Sequence, residues 1–382
     1  MPAPIAAGLP EVAWLVALAS LPEVGPARLA ALLDGRPPRQ AFDDLVEGRL
    51  ELDAGFADRV RRGDPASLIR RWRAAAAATD VGALWERHRS AGIAVLGPGG
   101  PAWPDVLLDD PDPPAVLFAR GRPDVLAGPR VAVVGTRRCT RYGWDVACRL
   151  GAELAEAGVA VVSGLALGID GAAHRGALDA GAAPPVGVVG TGLDVVYPRA
   201  HRRLWEEVAE AGVLLGEAPL GAPAERWRFP ARPRIIAGLA DVVVVVESAE
   251  HGGAMHTVDE AVRRERPVLA VPGPISSPAS AGTNRLLHEV ALPVCATDDV
   301  LVALGLSPGS RRPAAEARPA PEGAAATVLE VVGWTPATLD DLVERSRLGL
   351  GPVAAAVARL VADGWLRHDG PWVERVLRGA QP

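Results

Sequence analysis

Residues 159–178 read VAVVSGLALGIDGAAHRGAL. The run Val159 to Val162 is continuously apolar and mostly β-branched, the pattern of a strand buried on both faces. Four glycines follow (Gly164, Gly168, Gly171, Gly176), set among Ser163, Asp170 and His174, and the segment then turns helical. Strand, glycine-rich turn and helix together form the repeating unit of a parallel sheet. What the turn holds decides the function.

The same alternation recurs on both sides of this stretch. Strand-like runs are RVAVVG (130–135), PVGVVGTG (185–192), VLLGE (213–217), DVVVVVES (241–248), PVLAVPG (267–273) and PVCAT (293–297), with GIAVLGPG (92–99) and AVLFARG (115–121) placed to extend the sheet. Amphipathic helical patterns separate them, which predicts an α/β fold with an extended Rossmann-like, mostly parallel sheet over residues 80–305. Residues 1–62 read as short helices. The Gly-Pro turn in LPEVGPARLAALL (21–33) resembles a helix-hairpin-helix (SAM-like) module. Residues 306–323, LSPGSRRPAAEARPAPEG, have linker composition. Residues 324–378 give three helical stretches and two short strands around Asp369-Gly370, the pattern of a winged helix. The third helical stretch offers only Arg359 as a basic residue, so a protein-contact or dimerisation role weighs as much as duplex reading.

Composition removes several classes. A chain of 382 residues exceeds one ordinary core, and no apolar run approaches the ~20 residues that span a bilayer. The first 20 residues lack the basic n-region of a signal peptide. Cys139, Cys148 and Cys295 show neither pairing nor metal-ligand spacing, which suits reduced thiols in a cytoplasm. Cys139 stands beside arginines, where an incidental thiol is the favoured reading over a reactive one. No lysine occurs, so all 40 basic residues are arginines. That excludes a Walker A loop, pyridoxal chemistry and a Schiff base, and no cofactor or metal is expected.

In open parallel sheets ligands bind beyond the carboxyl ends of the strands. The segments there are GTRRCTR (135–141), SGLALGID (163–170), GTGLDVVYPRAHRR (190–203), RWRFPARPR (226–234), GGAMHT (252–257) and PGPISSPASAGTNR (272–285). They share glycine, small hydroxyls and arginine, which makes a phosphate-binding surface. A dinucleotide fits poorly: GTRRCT lacks the G-x-G-x-x-G spacing, and no acid closes the next strand. RWRFPARPR interleaves four arginines with Trp227 and Phe229, which suits single-stranded nucleic acid. Formal net charge is -6, and residues 130–300 carry 17 arginines against 20 acids, or -3. Arg137, Arg138, Arg199, Arg202, Arg232 and Arg234 nevertheless fall at one predicted sheet edge while acids populate the helices, so a positive face on an acidic body is expected.

VAVVGTRRCTRYG, VVSGLALGIDGAAHRGAL, GTGLDVVYP, FPARPRIIAGLADVVVVVESAE and VPGPISSPASAGTNRLL, in that order, resemble the DNA-processing protein A (DprA/Smf) family across nearly the whole chain. The resemblance implies an extended Rossmann domain that binds single-stranded DNA without catalysis. It implies protection of incoming strands in natural transformation and help in loading the RecA recombinase. Gly135, Thr136 and Arg137 match the family's G-[ST]-R pocket; Ser163, Gly164, Gly168 and Asp170 match its S-G-x-A-x-G-I-D turn; Arg232 and Arg234 match its R-x-R. Arg138, Arg199, Arg202, Phe229, Thr283, Asn284 and Arg285 complete the expected DNA surface. Homodimerisation stays open, and no membrane insertion is expected.

Three positions depart from the family pattern. Leu167 stands where arginine is usual, Pro233 where asparagine is usual, and HGGAMHT (251–257) replaces a loop of R-S-G-S-L-I-T type. Each removes a polar group within reach of phosphate, although His256 compensates if protonated. Two other functions remain open from sequence. One is a nucleotide-cleaving phosphoribohydrolase, for which GGAMHTVDEA places Glu260 at the signature glutamate and Asp170/His174 offer an acid/base pair one helical turn apart, against the favoured reading that Asp170 caps the helix or braces the turn with His174 packed beside it. The other is a ligand-sensing regulator whose winged helix binds duplex DNA.

Overall fold

The computed structural model describes residues 8–50, 64–307, 318–333 and 336–376. The chain divides into two compact units, 1–311 and 312–382. Among its described residues the first opens with the helices α1 (Glu11–Ala19), α2 (Pro26–Leu33), α3 (Pro38–Glu47), α4 (Pro65–Ala77) and α5 (Val81–Ser90). Proline opens α2, α3 and α4, where its missing N–H costs nothing. The carboxylates of Asp64 and Asp80 cap α4 and α5. Helices α4 and α5 therefore lie beyond the expected boundary at 62; the expectation for 51–62 itself lies outside the described residues.

A nine-stranded sheet follows. Its elements are β1 (Ile93–Leu96), β2 (Leu117–Gly121), β3 (Arg130–Val134), α6 (Arg141–Glu156), β4 (Ala160–Ser163), α7 (Ile169–Ala180), β5 (Val186–Val188), α8 (Arg202–Ala211), β6 (Val213–Gly216), α9 (Arg232–Leu239), β7 (Val242–Val245), α10 (Met255–Arg263), β8 (Val268–Ala270), α11 (Ala281–Glu289), β9 (Leu292–Pro293) and α12 (Thr297–Ala303). Strand order is β1-β2-β6-β5-β4-β3-β7-β8-β9. All pairs from β6 to β9 are parallel, whereas β1 with β2 and β2 with β6 are antiparallel. PVCAT contributes little strand, because the Asp299 carboxylate accepts from Cys295 and Ala296 N–H and draws the chain into α12.

Every residue of β3 and β7 is buried. Val131 and Val133 pack into one layer with Leu150 and Ala173 of α6 and α7. Ala132 and Val134 pack into the opposite layer with Ile235 and Ile236 of α9. This is the two-faced burial that the valine runs predict. Chain order reverses between β3 and β7, so the crevice above their carboxyl ends is the topological switch point where such sheets bind ligands.

The second unit contains α13 (Ala324–Val332), β10 (Ala337–Thr338), α14 (Leu339–Ser346), α15 (Leu350–Ala362), β11 (Leu366–Asp369) and β12 (Trp372–Arg375), with strand order β10-β12-β11. Val328, Leu342, Val357 and Val373 meet in its core. Three helices and the hairpin turning at Gly370 (φ 59°) give the winged helix. Arg359 of α15 pairs with Asp363. Most of the expected linker, 308–317, lies outside the described residues.

Candidate nucleic-acid interface

The switch-point crevice opens as a cleft of about 510 Å³. Arg137, Arg138, Arg226 and Arg232 line it with Phe229, Thr136 and His256. Four of the six expected sheet-edge segments, 135–141, 163–170, 226–234 and 252–257, thus converge on one rim. Arg137, Arg138 and Arg226 are exposed, and their side chains form no hydrogen bond or ion pair among the described residues. At one end Tyr197 and Phe229 form a tilted aromatic pair with ring centroids 5.1 Å apart, and Leu167 stands beside them. The chemistry is that of a polyanion groove: free guanidiniums beside ring surfaces.

The glycine-rich turn holds a side chain of its own. Gly164 N–H donates to Asp170 Oδ2 at 3.1 Å, and Ala166 N–H reaches the same oxygen at 3.4 Å. Arg232 donates to the Gly164 carbonyl on the same loop. Burial pushes the Asp170 carboxyl up, against the opposing pull of Arg232. Gly164 is required sterically, since a Cβ there would sit 2.7 Å from Arg232 Cζ. Gly168 has φ 79° and passes against the Thr136 carbonyl, where a side chain would collide. Gly176 presses on the backbone of α6 at Cys148. The expectation that Gly164 and Asp170 of this turn hold a phosphate is therefore corrected: the Gly164 amide, like that of Ala166, faces Asp170.

The first strand ends in a similar way. Thr136 N–H donates to the Glu247 carbonyl at 2.8 Å, and the buried Glu247 carboxylate accepts from Thr140 N–H at 2.8 Å and from the Thr140 hydroxyl. A Cβ at Gly143 would strike that carboxylate. In a dinucleotide-binding Rossmann domain a pyrophosphate takes this place at the helix N-terminus. Here an internal carboxylate occupies it, and the cationic groups left open to the cleft are the arginine side chains.

Other sequence-predicted residues lie elsewhere. The Ser163 hydroxyl is buried and donates to the Val133 carbonyl at 2.6 Å. Arg234 is buried against Glu217 at 2.5 Å, with Asp112 at 3.5 Å, on the opposite side of α9 from the cleft-lining Arg232. Thr283 is buried and bonds to the Ser280 carbonyl, Asn284 clasps the Gly273 backbone through both amide atoms, and Arg285 pairs with Glu250 and Glu289. These three brace the loop after β8 rather than the cleft. Arg199 and Arg202 are exposed, just beyond Tyr197-Pro198, and do not line the cleft. Gly135 lines it, pressed between Ile169 and the Glu247 carbonyl.

The candidate catalytic groups are engaged in structure. His174 is buried with Nε2 3.1 Å from the Val186 carbonyl, and burial lowers its pKa to about 4. Glu260 pairs with Arg263 and Arg264 and does not line the cleft. Burial, seconded by Glu247, pushes the Cys139 thiol up, away from the reactive thiolate and in line with an incidental residue.

Residues 94–305 match the family described as DNA recombination-mediator protein A, and residues 312–365 match the DprA winged helix domain. A putative DNA processing protein DprA of Mycobacterium tuberculosis is 37% identical over 345 residues, covering 84% of this chain and 87% of the relative. The chain belongs to the DprA/Smf family. The DNA processing protein DprA of Bacillus subtilis is 36% identical over 214 residues, 56% of this chain and 72% of the relative. Among solved structures, DNA processing protein A from Streptococcus pneumoniae superposes with a TM-score of 0.60 at 31% identity, covering 77% of this chain and 98% of that one. That of Helicobacter pylori, described for its single-stranded DNA binding mode, superposes with a TM-score of 0.50 at 30% identity, covering 56% and 95%.

The positions where this chain departs from the DprA pattern gather at one place. Leu167 stands 42% exposed between Arg137 and Tyr197. Pro233, Gly252, Gly253 and His256 line the main cleft. Sequence reasoning did not single out Tyr197, although the aromatic stood between basic residues in GTGLDVVYPRAHRR and the same interleaving had marked Phe229.

Proposed function

We propose that this protein binds single-stranded DNA in the switch-point cleft, protects incoming strands in natural transformation, and helps load a RecA recombinase without itself catalysing a reaction. The convergence of the unpaired Arg137, Arg138 and Arg226 with Arg232, Phe229 and Tyr197 supports the reading best. A flexible strand follows such a rim with phosphates on guanidiniums and bases on rings, whereas a duplex presents no free base face. The H. pylori relative, whose described property is single-stranded DNA binding, agrees with it. Engagement of Glu260 with Arg263 and Arg264 weighs against the phosphoribohydrolase reading. The described part of the winged-helix unit carries six arginines against eight acids, which weighs against duplex reading there. No helix among the described residues is long and apolar enough to cross a membrane, in keeping with action in the cytoplasm.

Two assays test this reading. Titration of labelled single- and double-stranded oligonucleotides is expected to show strand preference with strong salt dependence. Added protein is expected to speed RecA filament assembly on strands covered by single-strand-binding protein; no acceleration would remove the loading role.

A further inference from the structure

Trp227 is 43% exposed, although tryptophan has much apolar surface to bury. It stands one residue after the cleft-lining Arg226 and two before Phe229, so the segment that walls the cleft continues directly into it. Its ring is already held. The Arg228 guanidinium lies over it, 4.2 Å from the centroid, and Arg228 is fixed in turn by Glu225 at 3.2 Å. On the side of the N-terminal helices Gly25 touches the ring, and a Cβ there would lie 2.6 Å from Cζ3. An aromatic clamped this way loses little side-chain freedom when a flat ligand lands on it, and the adjacent cation favours a ligand attached to phosphate.

We propose that Trp227 is a second nucleobase platform, outside the cleft, on which a base of the same strand stacks after passing Phe229. The inference rests on the single-strand reading above and lengthens the track from the cleft towards the Gly25-Pro26 turn. The exposed part of Trp227 offers one ring surface and Phe229 with Tyr197 offers another, with the unpaired Arg226 beside them for the backbone. Stacking tolerates any base, so the platform adds affinity without sequence preference.

Fluorescence anisotropy with oligothymidylates of increasing length tests it. Wild-type affinity is expected to rise again once the strand reaches beyond the cleft. Trp227→Ala should abolish that second rise, weakening long strands by about five- to a hundredfold while leaving the shortest unchanged, and Trp227→Phe should retain most of it. Equal affinities of wild type and Trp227→Ala at every length, with unaltered thermal melting, would overturn the platform. A probe independent of variant folding is a single abasic site walked along a long strand on the wild-type protein: two separate positions of weakened binding are expected, and one position contradicts the proposal. Failure of the wild type to bind any single strand would sink the parent reading and the platform with it.

Discussion

Arg232 and Asp170 hold the same residue from opposite sides: Arg232 donates to the Gly164 carbonyl while Asp170 accepts from the Gly164 N–H at 3.1 Å. The glycine turn is thereby a support for the cleft's most buried guanidinium. The loop fixes where the Arg232 charge stands, beside the exposed Arg137, Arg138 and Arg226 of the same cleft.

Gly164→Ala is expected to act on both links. The new methyl would lie 2.7 Å from Arg232 Cζ and 2.8 Å from Asp170 Oδ2, so the pair must separate or the loop must move. Overpacking of this kind costs about 1–3 kcal/mol. Chemical denaturation should show that destabilisation, and single-strand affinity should fall with it.

Arg137 and Arg234 separate binding from stability. Arg137 is exposed, so Arg137→Ala should leave unfolding within about 0.5 kcal/mol of wild type, while weakening single-strand binding and lowering its salt slope by roughly 0.7 for each phosphate that the guanidinium neutralises. Arg234→Ala removes the partner of the buried Glu217, whose carboxyl, already pushed up to about 7 by burial, takes a proton instead; the lost contact costs about 1–3 kcal/mol and should leave the affinity of the folded protein unchanged. Melting curves and anisotropy titrations on the two variants check the contrast.

His174 predicts an acid limb in stability. Burial lowers its pKa from 6.5 to about 4. Between those values the unfolded chain binds the extra proton, so the contribution is fully present above pH 6.5 and is lost as pH falls towards 4, by about 3 kcal/mol in total. His88, also lowered by burial, adds in the same direction. Urea denaturation across this interval should show the decline, and His174→Gln should make it shallower.

Leu167→Arg should strengthen binding. The side chain is 42% exposed beside Arg137, Tyr197 and Phe229, so a guanidinium there reaches the track without a burial penalty. One added charged hydrogen bond to phosphate is worth about 1.5 kcal/mol, near tenfold in affinity. Anisotropy titration of this variant beside the wild type measures the gain.

The parallel sheet was legible because VAVV, RVAVVG and DVVVVVES can be buried only when helices cover both faces. The antiparallel pairing of β1 and β2 was not, since IAVL and LFARG fix strand but not direction. Convergence of the arginine segments followed from where parallel strands end. The fate of individual side chains did not. Arg232 and Arg234 stand together in RPR, yet at ~100° per residue they point about 200° apart, one to the cleft and one to Glu217. Ser163 looks like a phosphate donor in sequence, and only the fold reveals that the Val133 carbonyl already takes it, whereas Asp170 as a brace of the glycine turn was legible from its place at the start of the helix. Tyr197 becomes a site residue through its packing against Phe229, 32 positions away.

The most direct measurement is a paired anisotropy titration of one single-stranded oligonucleotide and its duplex at two salt concentrations, using wild type and the combined Arg137→Ala, Arg138→Ala, Arg226→Ala variant. The expected result is tighter binding of the single strand, weakened by salt, with both the affinity and the salt slope reduced in the variant. Equal binding of strand and duplex, or a variant that matches the wild type at both salt concentrations, would contradict the cleft as the seat of DNA binding.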